Sequence, residues 1–282
     1  MKGTAYLLQA TLISLWWIGL LWSPTFYAAF QFPGIGPDAF KAFLLPDLVI
    51  LGLLSIVRAY THKKQLDYVI LGGFAFATLY CINATILTGG GLLSTTIMVL
   101  GLCYNLFLIA DRQVFRNSTS SNLWLNGLKT GFQILCVWLL TLFVFPALLL
   151  HSFGTPTVRV GPTAILSIIL FIGFSGLGLY SAYTMVKLGE GTPLPIDQTQ
   201  KLVTKGPYQY VRNPMAIAGI GQGLAISLLF RSVPILLYAL IGAVLWQFVV
   251  RPLEENDMEE RFGEPYLDYK KRVKCWIPIF RS

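Results

Sequence analysis

The sequence predicts an all-α protein that crosses a membrane about eight times. Composition gives the class: 55% of the 282 residues are hydrophobic and only 12% are charged. Soluble domains have about 45–50% apolar and about 25% charged residues. The apolar residues also gather in runs long enough to cross a hydrocarbon layer of about 30 Å. Both observations indicate a polytopic membrane protein.

Eight such runs follow one another along the chain, near residues 6–22, 40–58, 68–87, 92–110, 130–151, 162–187, 213–230 and 233–250. Each is predicted to be a helix, because hydrocarbon accepts only helices or closed barrels and these runs lack the alternating pattern of barrel strands. The first run is expected to remain as a helix, because it is longer than the apolar core of a cleaved signal peptide.

The basic residues predict the orientation in the membrane. With a cytoplasmic N-terminus, all but three of the 21 Lys and Arg fall on the cytoplasmic side; the exceptions are Lys41, Arg159 and Arg231. This is the bias of the positive-inside rule, and it predicts that both termini are cytoplasmic. Attraction to anionic membrane lipid accounts for the net charge of +8, so no nucleic-acid partner is expected.

Cysteine and histidine usage argues against a metal site. The four cysteines lie apart, three in predicted helices and one near the C-terminus, which fits neither a disulfide framework nor a CxxC site. Only His62 and His151 are present, so histidine-rich zinc sites are excluded and no metal ion is expected. In the seventh run, Gly219 and Gly223 are predicted to form a small-residue helix contact.

The chain divides by polarity into residues 1–160, predicted to be an anterior set of membrane helices, and residues 161–282, predicted to be a core that holds the polar motifs. In the anterior part, the aromatic segment 23–43 is expected to lie along the outer interface. Asp47 follows it, just inside the second run; an intramembrane carboxylate is a functional candidate, although near a helix end it can also reach headgroup water. The segment 112–124 is interpreted as a solvated inner loop.

Two polar blocks, 189–214 and 251–278, flank a hairpin of the last two runs and face the same compartment. The hairpin therefore brings Arg212 and Arg251 to the same membrane depth. Arginines offer fork donors for a carboxylate or phosphate, and tyrosine rings offer flat faces for an adenine or a cation. The candidate residues of a pocket between the blocks are Gly206, Tyr208, Tyr210, Arg212, Asn213, Pro214, Arg251, Glu254 and Glu255. Alternatively, these residues are interface anchors and a solvated helix start.

The two blocks resemble those of the isoprenylcysteine carboxyl methyltransferase family and its phospholipid methyltransferase relatives. The first motif is carried here by Gly206, Tyr208, Arg212, Asn213 and Pro214. The second is carried, with every spacing kept, by Glu254, Glu255, Met258, Phe262, Gly263, Tyr266, Tyr269, Val273 and Pro278. Asn213 stands where the family usually has His, Ala216 stands where it has Tyr, and the following glycine is displaced to Gly219. The resemblance covers about 90 residues.

The resemblance implies a membrane enzyme that transfers a methyl group from S-adenosylmethionine, bound in a cytoplasmic pocket of the C-terminal part, to a lipophilic acceptor arriving through membrane lipid. It implies that Gly206, Tyr208, Tyr210, Arg212, Asn213, Pro214 and Glu255 hold the cofactor. Arg251 would orient an acidic acceptor, whereas Glu254 or Glu255 would suit a neutral or amine acceptor. Tyr266, Tyr269 and Trp276 are expected to pack the C-terminal segment onto the membrane surface.

Two other classes of function stay open on the sequence. The helical hairpin also resembles membrane sterol and steroid reductases, which would bind NADPH instead. A non-catalytic membrane protein is the third possibility, as a transporter or a relative that has lost activity. A transporter is expected to have interrupted helices with charges at the midplane in both halves, whereas the polar residues here gather on one face.

Overall fold

A computed structural model of the chain describes residues 2–110, 116–154 and 161–278. These ranges are helical, with isolated β-bridges but no strand. The helices are α1 (Lys2–Trp22), α2 (Pro24–Phe30), α3 (Pro37–Thr61), α4 (Lys64–Thr88), α5 (Leu92–Ile109), α6 (Leu123–Phe153), α7 (Pro162–Gly189), α8 (Pro214–Phe230), α9 (Val233–Phe262) and α10 (Glu264–Arg272). Three of the arginines used to predict orientation lie outside the described residues: Arg112, Arg159 and Arg281.

Seven of these helices are long and apolar enough to cross a membrane, namely α1, α3, α4, α5, α6, α7 and α9. The chain is a multi-pass membrane protein, and the predicted all-α class is confirmed. The helix α8, predicted as an eighth span, is apolar but has only 17 residues, a length of about 26 Å. It is short because Pro214 fixes its first turn and Arg231, in the left-handed conformation with φ 47, ends it.

Three of the long helices contain a wide π-helical turn, at Asp47–Leu53, Leu139–Val144 and Trp246–Val250. A proline lies beside each turn: Pro46 before the first, Pro146 and Pro252 after the others. Proline lacks a backbone N–H and its ring crowds the carbonyl one turn earlier, so the helix widens in the turns that precede Pro146 and Pro252. Pro46 precedes its π turn, and this effect does not explain that one. Each π turn rotates the side chains that follow it relative to a straight α-helix.

The described residues pack as two compact units, the first formed by residues up to 110 with 151–154 and the second by 116–150 and 161–278. Buried polar side chains join the helices of the first unit. The Tyr6 hydroxyl donates to Asp67 Oδ1 at 2.7 Å, and Arg58 Nη2 donates to Asp67 Oδ2 at 3.0 Å. Paired in this way, charged groups are tolerated inside the bundle. The predicted domain boundary at residue 160 stays a prediction.

The aromatic segment 23–43 packs within the first unit rather than only lining a membrane interface. Phe30 and Phe32 are buried. The Phe40 ring lies 5.9 Å from that of Trp17, edge-on, and 5.5 Å from that of Tyr27. Edge-to-face aromatic pairs of this kind stabilise beyond the area they bury, so the segment forms one wall of the unit.

In the second unit, α7 and α8 lie against each other through small residues. Gly221 faces the ring of Phe174, and a Cβ there would lie 2.5 Å from it; a Cβ on Gly223 would lie 3.1 Å from that of Ala239. A Cβ on Gly219 would meet nothing within 4 Å. The predicted small-residue contact is made by Gly223, with Ala239 of α9; Gly219 makes none within the described ranges, and Gly221 packs against the aromatic ring of Phe174.

Replacing Gly221 by alanine is expected to lower the free energy of unfolding by about 1–3 kcal/mol, because the new methyl group overlaps the Phe174 ring. Gly219→Ala is the matched control, since it adds the same methyl group two residues away into open space. Thermal melts of the purified variants in detergent measure the effect. Equal melting temperatures for the two variants would contradict the packing described.

Candidate functional site

The turn between α7 and α8 has a backbone that only a few residues can adopt. Gly206 has φ +63, in the left-handed region, and a Cβ there would lie 3.1 Å from the Thr184 side chain. It opens a 3₁₀ turn, Gly206–Gln209, that ends one residue before Tyr210. Glycine is favoured at such a position because it lacks the Cβ that would clash. The turn buries Tyr208 and leaves Tyr210 exposed.

Asn213 links the start of α8 to α9 through both ends of its amide. Its Oδ1 accepts from the backbone N–H of Ala216 at 3.2 Å, and its Nδ2 donates to Glu254 Oε2 at 3.1 Å. The first contact is an N-cap, which satisfies a donor that the helix leaves unpaired, and Pro214 occupies the first helical position. A side chain with both an acceptor and a donor is needed for these two roles.

Three cations surround the carboxylate of Glu255. Arg251 Nε donates to Oε1 at 2.8 Å, Arg212 Nη1 lies 2.9 Å from the same oxygen, and Lys270 Nζ lies 3.0 Å from Oε2. The Glu255 side chain is only 16% exposed. Lys270 also pairs with Glu259, at 2.5 Å. Because Lys270 also has Glu259, the excess of positive charge around Glu255 comes from the two arginines that share this carboxylate.

Glu254, the neighbour of Glu255, has a different environment. Among the described residues its one hydrogen-bond donor is the neutral Asn213 amide, and no ion pair with Lys or Arg is formed. A half-buried carboxylate with a single neutral partner keeps acceptor capacity for an amine or hydroxyl group of a ligand.

The C-terminal segment closes over the turn. The Tyr269 hydroxyl donates to the Tyr208 carbonyl at 2.6 Å, and the Arg212 backbone N–H donates to the Lys274 carbonyl at 3.0 Å. The expectation that Tyr266 and Tyr269 lie on the membrane surface is wrong: both are 4% exposed and form an apolar cluster with Val273. They are buried because the left-handed Gly263, with φ +55, folds α10 back along α9.

Gln247, in the π turn of α9, ties the end of this segment to the hairpin. Its Oε1 accepts from Trp276 Nε1 at 2.6 Å and from Arg251 Nη1 at 3.1 Å. The Trp276 ring lies 5.0 Å from that of Trp246, edge-on. Arg251 therefore uses two of its three nitrogens on Glu255 and Gln247, which orients its guanidinium.

Two side chains at this turn have buried polar atoms without a hydrogen-bond partner within residues 2–110, 116–154 and 161–278: the Tyr208 hydroxyl, and the Arg212 Nε and Nη1, of which Nη1 is ion-paired with Glu255. The Arg212 side chain is 10% exposed, and Tyr208 is 3% exposed. Burial raises the pKa of the Tyr208 hydroxyl well above its ordinary value, so the group stays a neutral donor and acceptor. Buried groups without partners are uncommon, and they indicate a missing ligand or water.

The segment 112–124, interpreted as a solvated inner loop, is described from residue 116 on, and most of its described residues are exposed. It also contacts residues 195–199. Backbone bonds join Arg116 to Pro195 at 2.8 Å and Ser118 to Gln198 at 2.9 Å, and Ser118 is buried. Arg261 of α9 contacts both segments: its Nη1 donates to Asn117 Oδ1 at 3.1 Å and to the Thr199 carbonyl at 2.9 Å.

An apolar cavity of about 140 Å³ begins next to the turn, within the second unit. Met215, Ala218 and Gly219 of α8 line one side, and Trp138 of α6 and Leu194 of the block 189–205 line others. Two glutamines also reach it, Gln133 and Gln222. Gln222 Nε2 donates to Ser175 Oγ at 2.9 Å, whereas the buried Gln133 Oε1 has no partner within the described ranges.

The predicted site residues lie in one neighbourhood, and only the role of Tyr210 is without support from the contacts described. Arg212, Asn213, Arg251, Glu254 and Glu255 contact one another as described, and Gly206, Tyr208 and Pro214 shape the adjoining turn. Tyr210 is 40% exposed, and its role as a flat face for a ligand stays a prediction. Sequence reasoning did not include Lys270, Gln247 or the cavity. The glutamines within apolar runs, at 133, 222 and 247, were the signal that could have pointed to Gln247 and to the cavity.

No cluster of three or more His, Cys, Asp or Glu side chains suited to a metal ion occurs in the described part of the chain. The polar chemistry of the neighbourhood is therefore that of arginine, lysine, glutamate, asparagine and tyrosine.

Comparison with known proteins finds similarity to the same family that the motifs resemble. Residues 162–265 match the family described as phospholipid methyltransferase. The chain is 32% identical over 116 residues to a protein-S-isoprenylcysteine O-methyltransferase of Schizosaccharomyces pombe, covering 38% of this chain and 48% of that protein. It is 33% identical over 88 residues to the proteins of the same description from Mus musculus and Rattus norvegicus, covering 30% of each chain. The resemblance found in the motifs is confirmed.

The chain spans about half the length of the yeast relative and less of the two mammalian ones. No solved structure matches the chain.

Proposed function

We propose that this protein is an integral membrane methyltransferase that moves a methyl group from S-adenosylmethionine to a lipophilic acceptor. The observation on which this rests is the pair of buried, unpartnered groups beside the Glu255 cluster, the Tyr208 hydroxyl and the Arg212 Nε. The similarity of residues 162–265 to a methyltransferase family supports the same reading.

The side chains around the turn complement the amino-acid end of S-adenosylmethionine, which carries a carboxylate and an ammonium group. Arg212, beside the excess positive charge around Glu255, would pair with the carboxylate. Glu254, which has no cationic partner in the described ranges, would accept hydrogen bonds from the ammonium group or a ribose hydroxyl. The Tyr208 hydroxyl would bond a further polar atom. Gly206 and Pro214 shape the backbone around them.

When bound, S-adenosylmethionine supplies a methyl group on a sulfonium, which is transferred by in-line displacement. The protein's contribution to such a reaction is to orient the two reactants and exclude water. The buried Asn213–Glu254 contact and the closing segment with Tyr269 would hold the pocket rigid. Arg251 is positioned by Gln247 and Glu255, and its remaining nitrogen would reach an acidic acceptor; Glu254 would serve a neutral or amine acceptor.

The acceptor is proposed to enter through the apolar cavity that starts at Met215. The cavity volume of about 140 Å³ suits one section of a lipid chain, and its lining by Trp138, Leu194 and Ala218 favours an apolar occupant. An isoprenylcysteine-like carboxylate is one acceptor of this kind, as the names of the relatives suggest; other lipids or small hydrophobic molecules are further ones. In this proposal both termini and the cofactor pocket face the cytoplasm, following the basic residues.

The test is binding of S-adenosylmethionine and of NADPH, measured separately by calorimetry on detergent-purified protein. Saturable binding of S-adenosylmethionine, with transfer of its labelled methyl group into a membrane lipid extract, is the expected result. Binding of NADPH alone would move the assignment to a reductase. Absence of binding by either compound to folded protein would remove the catalytic proposal.

Replacing Tyr208 by phenylalanine separates a ligand-binding role from a structural one. Because the hydroxyl has no protein partner in the described ranges, its removal is expected to leave the melting temperature of the ligand-free protein unchanged or slightly raised. Affinity for S-adenosylmethionine is expected to fall by about tenfold, the value of one buried hydrogen bond. Tyr269→Phe is the contrasting variant, since it loses the bond to the Tyr208 carbonyl and is expected to lower stability.

A destabilised Tyr208→Phe protein with normal affinity would assign the hydroxyl to the fold instead of the ligand.

A further inference from the structure

We propose that the first unit contains a binding site for a small organic ammonium ion, with Asp47 as its counter-ion. This site is independent of the proposed methyl transfer, because it is built entirely from residues of the first unit. Its structural basis is a small cavity in which aromatic side chains surround a buried carboxylate.

The cavity has a volume of about 40 Å³, enough for about three water molecules. Its lining is almost wholly apolar and aromatic, and includes Trp16, Trp17, Phe40, Phe43 and Tyr80. The rings hold one another: Trp16 and Trp17 lie 5.1 Å apart edge-on, and Phe43 and Tyr80 lie 4.5 Å apart. Rings from α1, α3 and α4 therefore form a cage of fixed shape.

Asp47 is the acidic group in this cage. It is 6% exposed, and its one hydrogen bond within the described ranges comes from Trp17 Nε1 to Oδ2, at 3.1 Å. No Lys or Arg of those ranges pairs with it. The other buried carboxylate of the unit, Asp67, has an arginine and a tyrosine. Burial of a carboxylate without a cation is costly, so Asp47 has the environment of a group whose counter-ion comes from outside the chain.

The chemistry of the lining selects the class of cation. Metal ions such as Ca²⁺ and Mg²⁺ require about six oxygen ligands, whereas one carboxylate is the only acidic group here. Aromatic faces around a negative charge are the arrangement that binds methylated ammonium ions, through cation–π attraction. The buried Trp16 Nε1, which also has no partner in the described ranges, provides a donor for an oxygen atom on the ligand or for a water beside it.

The sequence positions of these residues place the cage at one end of the unit. Trp16 and Trp17 come late in α1, Asp47 in the first half of α3, and Tyr80 late in α4. The Arg58–Asp67 pair lies toward the other ends of α3 and α4. A small ion from the aqueous phase could therefore reach the cage from the end formed by the segment 31–43, without crossing the whole bundle.

Calorimetric titration of the full-length protein in lipid nanodiscs with tetramethylammonium chloride tests the proposal. Saturable binding is expected for the parent, and about tenfold or weaker affinity for Asp47→Asn. Asp38→Asn is the matched control, because it removes the same charge from an exposed position in the first turn of α3. Tyr80→Leu keeps an apolar side chain but removes one aromatic face, and is expected to weaken binding by about threefold to tenfold.

Two competition controls use the parent protein alone. The first is tert-butanol, a neutral molecule of similar shape, and the second is sodium or potassium chloride. Neither the alcohol nor the inorganic cations are expected to compete with tetramethylammonium. Equal binding of tert-butanol would show an apolar cavity without charge selectivity, and equal binding by Asp47→Asn would show that the ion sits elsewhere. Either result, or the absence of any binding by the parent, would overturn the proposal.

Discussion

Glu255→Gln is expected to reduce affinity for S-adenosylmethionine by more than about 100-fold and to remove methyl transfer at cellular cofactor concentrations. Arg212, Arg251 and Lys270 all pair with this carboxylate, at 2.8–3.0 Å. An amide of the same shape leaves the two arginines without their shared negative charge, whereas Lys270 keeps Glu259; breaking a buried pair costs about 3–5 kcal/mol. The two guanidinium groups then repel each other, and Arg212 is expected to move from the position described.

Binding by calorimetry, together with the melting temperature and helical content of the same preparation, measures this prediction. Glu264→Gln is the control of equal chemistry, because Glu264 is exposed on the first turn of α10. It should bind the cofactor as the parent does. Normal affinity in folded Glu255→Gln protein would show that the cation cluster has a structural role only.

Arg212→Lys is expected to weaken cofactor binding by about tenfold to 100-fold while preserving the charge at this position. Lysine keeps a point charge but lacks the planar fork with which arginine binds a carboxylate through two parallel bonds. In this protein Nη1 is used on Glu255 and the buried Nε has no partner in the described ranges. The variant therefore measures the contribution of that second donor to the binding free energy, which is about 1.5–3 kcal/mol for a hydrogen bond to a charged group.

Arg272→Lys makes the same substitution on an exposed arginine of α10 and is expected to change neither affinity nor melting temperature. A salt series adds a second readout. Because the pairing is electrostatic but partly buried, parent affinity should depend only weakly on ionic strength. If Arg212→Lys binds the cofactor as tightly as the parent, the methionine carboxylate is held by another group.

The membrane body was predictable because hydrocarbon imposes a length and an apolar composition on every helix that crosses it. The predicted runs correspond to helices of the described ranges, although α6 begins earlier than predicted, at Leu123, and α9 continues to Phe262. The π turns and the folded-back α10 were not predictable in this way. They depend on single residues, Pro252 and Gly263 among them, whose effect on side-chain direction appears only in three dimensions.

Part of the candidate site was predictable from the sequence, and part was not. A hairpin fixes depth, so the proximity of Arg212 to Arg251 and its neighbours followed from chain topology alone. Lys270 reaches Glu255 because the chain reverses direction at Gly263, between the two residues. In the sequence, Lys270 lies in a run of charged residues that resembles any solvated helix, so this contact could not be predicted. The apolar cavity arises from side chains on α6, α7 and α8 that do not meet. Such voids have no signature in one sequence.

The closing contact between Tyr269 and the Tyr208 carbonyl joins residues 61 positions apart, and this separation sets an order of events during synthesis. At about 5–20 residues per second, a ribosome makes the turn about 3–12 s before it makes the segment that covers it. During that interval Tyr208 and Arg212 have been synthesised but α10 has not yet covered them. If the protein binds S-adenosylmethionine as proposed, a nascent chain arrested before α10 is expected not to bind it.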